Sequence, residues 1–137
     1  MLDTIALHQP DQIIHLGDLL EDAEELTYAY PNIPVCMVPG NCDGWTMQPL
    51  KRQITLCGKQ ILLSHGHFWN VKRNYHAAIA EARACGVHVL LFGHTHVPYC
   101  EQLEDDLWVM NPGPASVSYG LILLDNSGIS CSVHKME

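Results

Sequence analysis

The chain has 137 residues, 47% of them hydrophobic and 16% charged, a balance that suits a compact globule with a core of its own and excludes disorder. With 15 acidic residues against 7 basic, the net charge is −8, and no basic run exceeds Lys51-Arg52 or Lys72-Arg73. Such a chain offers no face to nucleic acid, and an anionic substrate has to be held by metal ions rather than by arginines.

No apolar stretch nears the roughly 20 residues of a membrane span, and Met1-Leu2-Asp3-Thr4 lacks the basic and apolar parts of a secretory signal. The expectation is a cytoplasmic protein without a membrane partner. Six cysteines, at 36, 42, 57, 85, 100 and 131, have neither zinc-knuckle nor C-x-x-C spacing. Most read as small buried hydrophobes in a reducing compartment.

In chain order, residues 2–9 read as the tail of a helix, with Leu2, Ile5 and Ala6 on one face. A strand at 12–16, a helix from about 22 to 30 and a strand at 34–39 follow. Residues 53–57 and 59–64 read as a hairpin about Gly58, and a helix from about 72 to 85 ends at Gly86. Strands then recur at 88–92, 97–102, 107–110, 118–124 and 129–134, the last pair turned by Asn126-Ser127-Gly128. Alternating strands and helices followed by mostly strands predict an α/β fold, a sandwich of two sheets flanked by helices, in one domain over 1–137.

Four of the apolar runs stop at a glycine beside polar groups: Gly17-Asp18, Gly40-Asn41-Cys42-Asp43, Ser64-His65-Gly66-His67 and Gly93-His94-Thr95-His96. Glycine lets the chain turn sharply where each strand ends. Asp18 is placed to bridge two cations, although an Asp there also serves as a helix N-cap. Asn41 offers a neutral carbonyl oxygen, and by itself it reads equally as a turn residue. His65 and His67 project to one side of an extended segment, as do His94 and His96. Two such pairs, together with Gly-Asp and Gly-Asn-x-Asp, describe a divalent-metal site. Asn111-Pro112-Gly113-Pro114 reads as a tight turn near that cleft, either approaching a ligand or purely structural. His8, His76 and His134 read as solvated, His15 and His88 as packed or hydrogen-bonded, and Trp45, Trp69 and Trp108 as core or cleft wall.

The order G-D, G-N-C-D, S-H-G-H, G-H-T-H, N-P-G resembles the calcineurin-like metallophosphoesterase superfamily, in its small bacterial and archaeal phosphodiesterase branch, over most of the chain. The resemblance implies a four-layer α/β/β/α fold. It also implies metal ligation by Asp18, Asn41, His65, His94 and His96, with Asp18 bridging. The implied ion is Mn²⁺, with Ni²⁺, Zn²⁺, Mg²⁺ or Fe²⁺ as alternatives. The implied reaction is hydrolysis of a small phosphodiester or phosphate ester, a metal-bridging hydroxide attacking phosphorus in line. Asn41 and His67 are the candidate catalytic residues; His67 either bonds phosphate or orients a metal ligand. Cys42 replaces the acid histidine of many relatives and is the candidate substrate contact. A thiol is the poorer acid, which favours good leaving groups.

The family opens on a strand ending in Asp-x-His, and this sequence has no Asp-x-His. The chain is thus expected to lack the first strand, to be truncated at its N-terminus relative to the family, and to hold one ion where the family holds two. An unpaired sheet edge would favour self-association into a homo-oligomer. The alternative expectation is a non-catalytic metallophosphoesterase-fold scaffold, of which the retromer coat subunit is the family's example.

Overall fold

The computed structural model describes residues 10–16, 29–38, 51–66, 69, 71–95, 97–113, 118–125 and 128–135. Among the described residues, β1 (Ile13–His15) pairs in parallel with β2 (Val35–Met37). β3 (Lys51–Leu56) and β4 (Lys59–Ser64) form an antiparallel hairpin. The helix α1 (His76–Cys85) leads to β5 (Val89–Leu91), followed by β6 (Tyr99–Gln102) and β7 (Trp108–Asn111). β8 (Ser118–Asp125) and β9 (Gly128–Lys135) close the chain as a long antiparallel ribbon. The central sheet has the order β3-β4-β5-β7-β6, with β4, β5 and β7 mutually parallel.

The parallel strands read as unbroken apolar runs because both of their faces are covered. Leu62, Leu90 and Val109 face α1, where they pack with Ala78, Ala82, Trp69 and Phe92. The alternate residues, Ile61, Leu63, Val89, Leu91 and Met110, face the other way. There they meet Cys36 within β2 and Val38 just after it, and Cys131, Ile122 and Val133 of the β8–β9 ribbon. The period-2 alternation therefore builds two cores, one under the helix and one between sheet layers. Arg52 ties the layers at the hairpin edge, its Nε donating to the Met37 carbonyl at 2.8 Å. This mixed α/β arrangement is the fold class expected from the sequence.

Local chemistry explains several boundaries. Cys57 and Gly58 both have positive φ, 51° and 77°, as the two-residue turn between right-twisted strands requires. The α1 C-terminus closes with the Gly86 N–H on the Arg83 carbonyl at 3.2 Å and the Val87 N–H on the Ala82 carbonyl at 3.3 Å. The helix starts later than its sequence suggests. Asn74 Oδ1 accepts the His76 N–H at 3.1 Å, so residues 71–73 form a turn instead.

The cysteines divide. Cys36 and Cys131 are buried and Cys100 half-buried, whereas Cys57 in the hairpin turn and Cys85 at the helix end are exposed. The expectation of mostly buried cysteines thus fails at these two, because a two-residue turn and a last helical turn face solvent. Burial pushes the Cys131 thiol up to about 12. The expected helices at 2–9 and 22–30 and the Asn126-Ser127 turn lie wholly or mainly outside the described residues. No helix of the described residues is long and apolar enough to cross a membrane.

Candidate metal centre

Parallel pairing of β4, β5 and β7 brings the carboxyl ends of three strands to one edge. Leu63 lies opposite Leu91, and Leu91 opposite Met110. The next residues, His65, the Gly93-His94 turn and Asn111, therefore leave the sheet together. Ligand sites of α/β sheets form outside such strand ends.

His65 is 1% exposed, and both of its ring nitrogens are engaged. Nδ1 lies 2.8 Å from the Leu16 carbonyl oxygen just past β1, and Nε2 lies 3.0 Å from His94 Nδ1. A carbonyl oxygen only accepts, so Nδ1 carries the proton and donates it to Leu16. In the neutral ring Nε2 then holds its lone pair toward His94. The two rings stand edge to face, centroids 4.9 Å apart.

His94 sits in the left-handed region at φ 68°, a conformation that costs a residue with a Cβ about 1–2 kcal/mol. Its neighbours hold it there. The Gly93 N–H donates to the His65 carbonyl at 2.9 Å, and the Thr95 N–H to the Gly93 carbonyl at 2.8 Å. Asn111, 1% exposed, donates from Nδ2 to the Gly93 carbonyl at 3.1 Å and to Thr95 Oγ1 at 2.8 Å. Its Oδ1 accepts the Gly113 N–H at 2.9 Å. Backbone strain over-determined by its surroundings is characteristic of ligand-holding positions.

Gly66 follows His65 at φ 103°, and a Cβ on it would stand 3.0 Å from a Val71 methyl and 3.3 Å from the Phe92 Cβ. A side chain there would be crowded as well as strained at that φ. The Trp69 N–H returns to the Gly66 carbonyl at 3.0 Å, and the Trp69 indole donates to Glu81 at 3.2 Å, anchoring the loop to α1.

Of the candidate ligands, His65 and His94 are thus brought together. Asp18, Asn41, His96, His67 and Cys42 lie outside the described residues. Among the described residues no three potential His, Cys, Asp or Glu ligands meet. The readings of the remaining described histidines and of Trp69 held. His15 is buried, His88 Nδ1 accepts the Gln60 N–H at 3.0 Å, His76 and His134 are exposed, and Trp69 is core. Asn111 is the residue whose role sequence reasoning missed. Its motif read as a turn, and nothing local shows that its amide clamps the His94 turn.

The pair fits a divalent ion. A ligating histidine characteristically donates its second N–H to a backbone carbonyl, as His65 does to Leu16. Two imidazole nitrogens held about 2.1 Å from one ion at a right angle are about 3.0 Å apart, the separation observed for His65 and His94.

A family model described as the calcineurin-like phosphoesterase superfamily domain matches residues 1–123. The chain is 31% identical over 136 residues to the probable metallophosphoesterase YsnB of Bacillus subtilis (strain 168), covering 91% of this chain and 77% of that protein. It is 32% identical over 111 residues to the phosphodiesterase YfcE of Escherichia coli (strain K12), covering 70% of this chain and 55% of that protein. The crystal structure of wild-type Vps29 complexed with Zn²⁺ from Entamoeba histolytica superposes with a TM-score of 0.76 at 18% identity, over 98% of this chain and 87% of that one. That last likeness speaks to the fold.

Proposed function

The chain belongs to the calcineurin-like phosphoesterase superfamily, and from that premise we propose that it is a divalent-metal-dependent phosphodiesterase. The observation that carries the reading is the 3.0 Å approach of His65 Nε2 and His94 Nδ1 at the carboxyl edge of parallel strands, with His65 Nδ1 committed to the Leu16 carbonyl. With His65 Nε2 accepting, His94 Nδ1 donates the proton between the two rings, and a divalent ion taking the place of that proton would be held by both nitrogens. Asp18 follows β1, whose Leu16 carbonyl holds His65, Asn41 follows β2 in sequence and His96 follows His94; these three are proposed to complete the ligand set. Mn²⁺ is the proposed ion.

When bound, such an ion supplies Lewis-acid polarisation of the phosphoryl oxygens and a water acidic enough for in-line attack on phosphorus. The chain's own residues then position and protonate. His67 is proposed to bond a phosphate oxygen, Asn41 to orient the site through its amide, and Cys42 to stand beside the leaving oxygen. A thiol there suits aryl and other good leaving groups. The net charge of −8 leaves the ion as the main attraction for an anionic ester.

The test is release of 4-nitrophenolate from bis(4-nitrophenyl) phosphate by the protein with Mn²⁺, set against Asp18→Ala. Turnover in the parent protein, lost in the variant and on chelation, supports the reading. Release no faster than the variant ends it. A non-catalytic scaffold is the second reading, favoured by the fold likeness to Vps29. One tightly held ion per chain with no hydrolysis would select it.

A further inference from the structure

Beside the proposed metal centre runs a groove of about 530 Å³, a volume typical of small-molecule sites. We infer that this groove is the specificity pocket of the centre, taking the non-reacting substituent of a phosphodiester when that substituent carries an anionic group. The inference rests on the phosphodiesterase reading above.

The groove belongs to the same two loops that present the histidines. Thr95 lines it, directly after His94, and is held by Asn111. Val71 lines it as well, and its methyl groups limit the space at Gly66, next to His65. A substituent leaving the phosphorus near His65 and His94 on this side enters the groove.

Its chemistry departs from that of the chain as a whole. Lys72, Arg73 and His76 line it against the apolar Val71, Ile79 and Val97, and among the described residues no Asp or Glu lines it. This is a protein of net −8 with 7 Lys and Arg in all, so two of them side by side here concentrate positive charge. Lys51 is paired with Glu81 and Arg83 with Asp105, whereas Lys72 and Arg73 make no ion pair among the described residues. The Asn74 turn that delays α1 leaves Lys72 and Arg73 exposed along the groove, while Val71 before them stays buried. Val97, 59% exposed, gives the rim an apolar contact. Cationic side chains that no described carboxylate neutralises, beside an apolar wall, select an anionic group on a short carbon arm, whether carboxylate or phosphate.

Three 4-nitrophenyl phosphodiesters with Mn²⁺ separate the cases, their second substituents being ethyl, 2-carboxyethyl and 2-phosphoethyl. The charged arms are expected to exceed ethyl in kcat/KM by about fivefold, the combined effect of two screened ion pairs. The better of the two charged arms names the anion. In Lys72→Ala/Arg73→Ala, both exposed positions, the preference should fall to near one, while Lys135→Ala, a cation lost outside the groove, keeps it. A parent protein without preference, or a preference that survives the double substitution, overturns the inference. If none of the esters is cleaved faster than by Asp18→Ala, the phosphodiesterase reading is what fails. Calorimetry with ethyl and 2-carboxyethyl methylphosphonate then decides the groove. Tighter binding of the carboxylate, abolished by the double substitution, upholds an anion-selective groove, and equal binding refutes it.

Discussion

Asn111 and Thr95 are 16 residues apart in sequence, yet the Asn111 side-chain amide donates to Thr95 Oγ1 at 2.8 Å. Through this bond and its partner on the Gly93 carbonyl, the end of β7 fixes the turn that puts His94 in the left-handed region. Asn111→Ala removes both bonds and leaves the Gly113 N–H without its acceptor. The native state is expected to lose about 1–3 kcal/mol by urea unfolding, and Mn²⁺ affinity to fall about 10- to 100-fold. Asn111→Asp keeps an acceptor for Gly113 but loses the donor, so it should recover stability ahead of metal affinity. Wild-type Mn²⁺ affinity in both variants would show that Asn111 acts on packing alone.

Metal binding should itself stabilise the fold. At about a hundredfold excess over its dissociation constant, an ion that binds only the native state contributes about 2.7 kcal/mol, or roughly 10 °C in Tm for a domain of this size. Differential scanning calorimetry with and without Mn²⁺ measures this. The shift should shrink in His94→Ala and vanish in His65→Ala/His94→Ala. An equal shift in the double variant would place the ion elsewhere on the protein.

How much of this could be read beforehand depends on the range of the interaction. Runs such as Ile61-Leu62-Leu63 and Val89-Leu90-Leu91 are legible as strands because their period and their flanking glycines are local. The hairpin at Gly58 and the helix stop at Gly86 are legible for the same reason. From strand ends that share one edge, the meeting of His65 and His94 followed. The delayed start of α1 did not, because it turns on whether Asn74 bonds the His76 N–H or joins the helix. The Asn111 clamp was hidden more deeply, since its partners lie on another loop and only the β5–β7 register brings them together.

Gly66 and Gly58 separate conformational cost from steric cost. Both have positive φ, 103° and 77°, but a Cβ at Gly58 meets nothing within 4 Å, while one at Gly66 meets Val71 and Phe92. Gly58→Ala should lose about 1 kcal/mol. Gly66→Ala should lose about 2–3 kcal/mol, because the contacts lie in a packed core, and it should also weaken Mn²⁺ binding at the adjacent His65. Equal denaturation midpoints for the two variants would contradict the crowding at Gly66.

Thiol reactivity should follow burial. Iodoacetamide at pH 8 is expected to modify Cys57 and Cys85, which are exposed, and to spare Cys36 and Cys131 until the protein is unfolded. Desolvation raises both buried thiols, that of Cys131 to about 12, which leaves almost no thiolate to react. Peptide mapping by mass spectrometry reads the order directly. Early labelling of Cys131 would mean that the β8–β9 ribbon does not cover the inter-sheet core.

At alkaline pH the Tyr99–Glu101 contact should set part of the stability profile. Tyr99 donates its hydroxyl to the Glu101 carboxylate, and that bond, helped by burial, pushes the phenol up to about 12. The native state then holds a proton that the unfolded chain, titrating near 10, gives up earlier. A raised folded-state value means that the contribution is complete below about pH 10 and is lost as pH climbs toward 12. Unfolding midpoints in urea should therefore fall more steeply between those values in the parent protein than in Tyr99→Phe, which has no phenol to ionise. Absorbance near 295 nm should show the same difference, a late-titrating phenolate present in the parent and absent from the variant. Parallel pH profiles for the two proteins would mean that the Glu101 bond does not persist in solution.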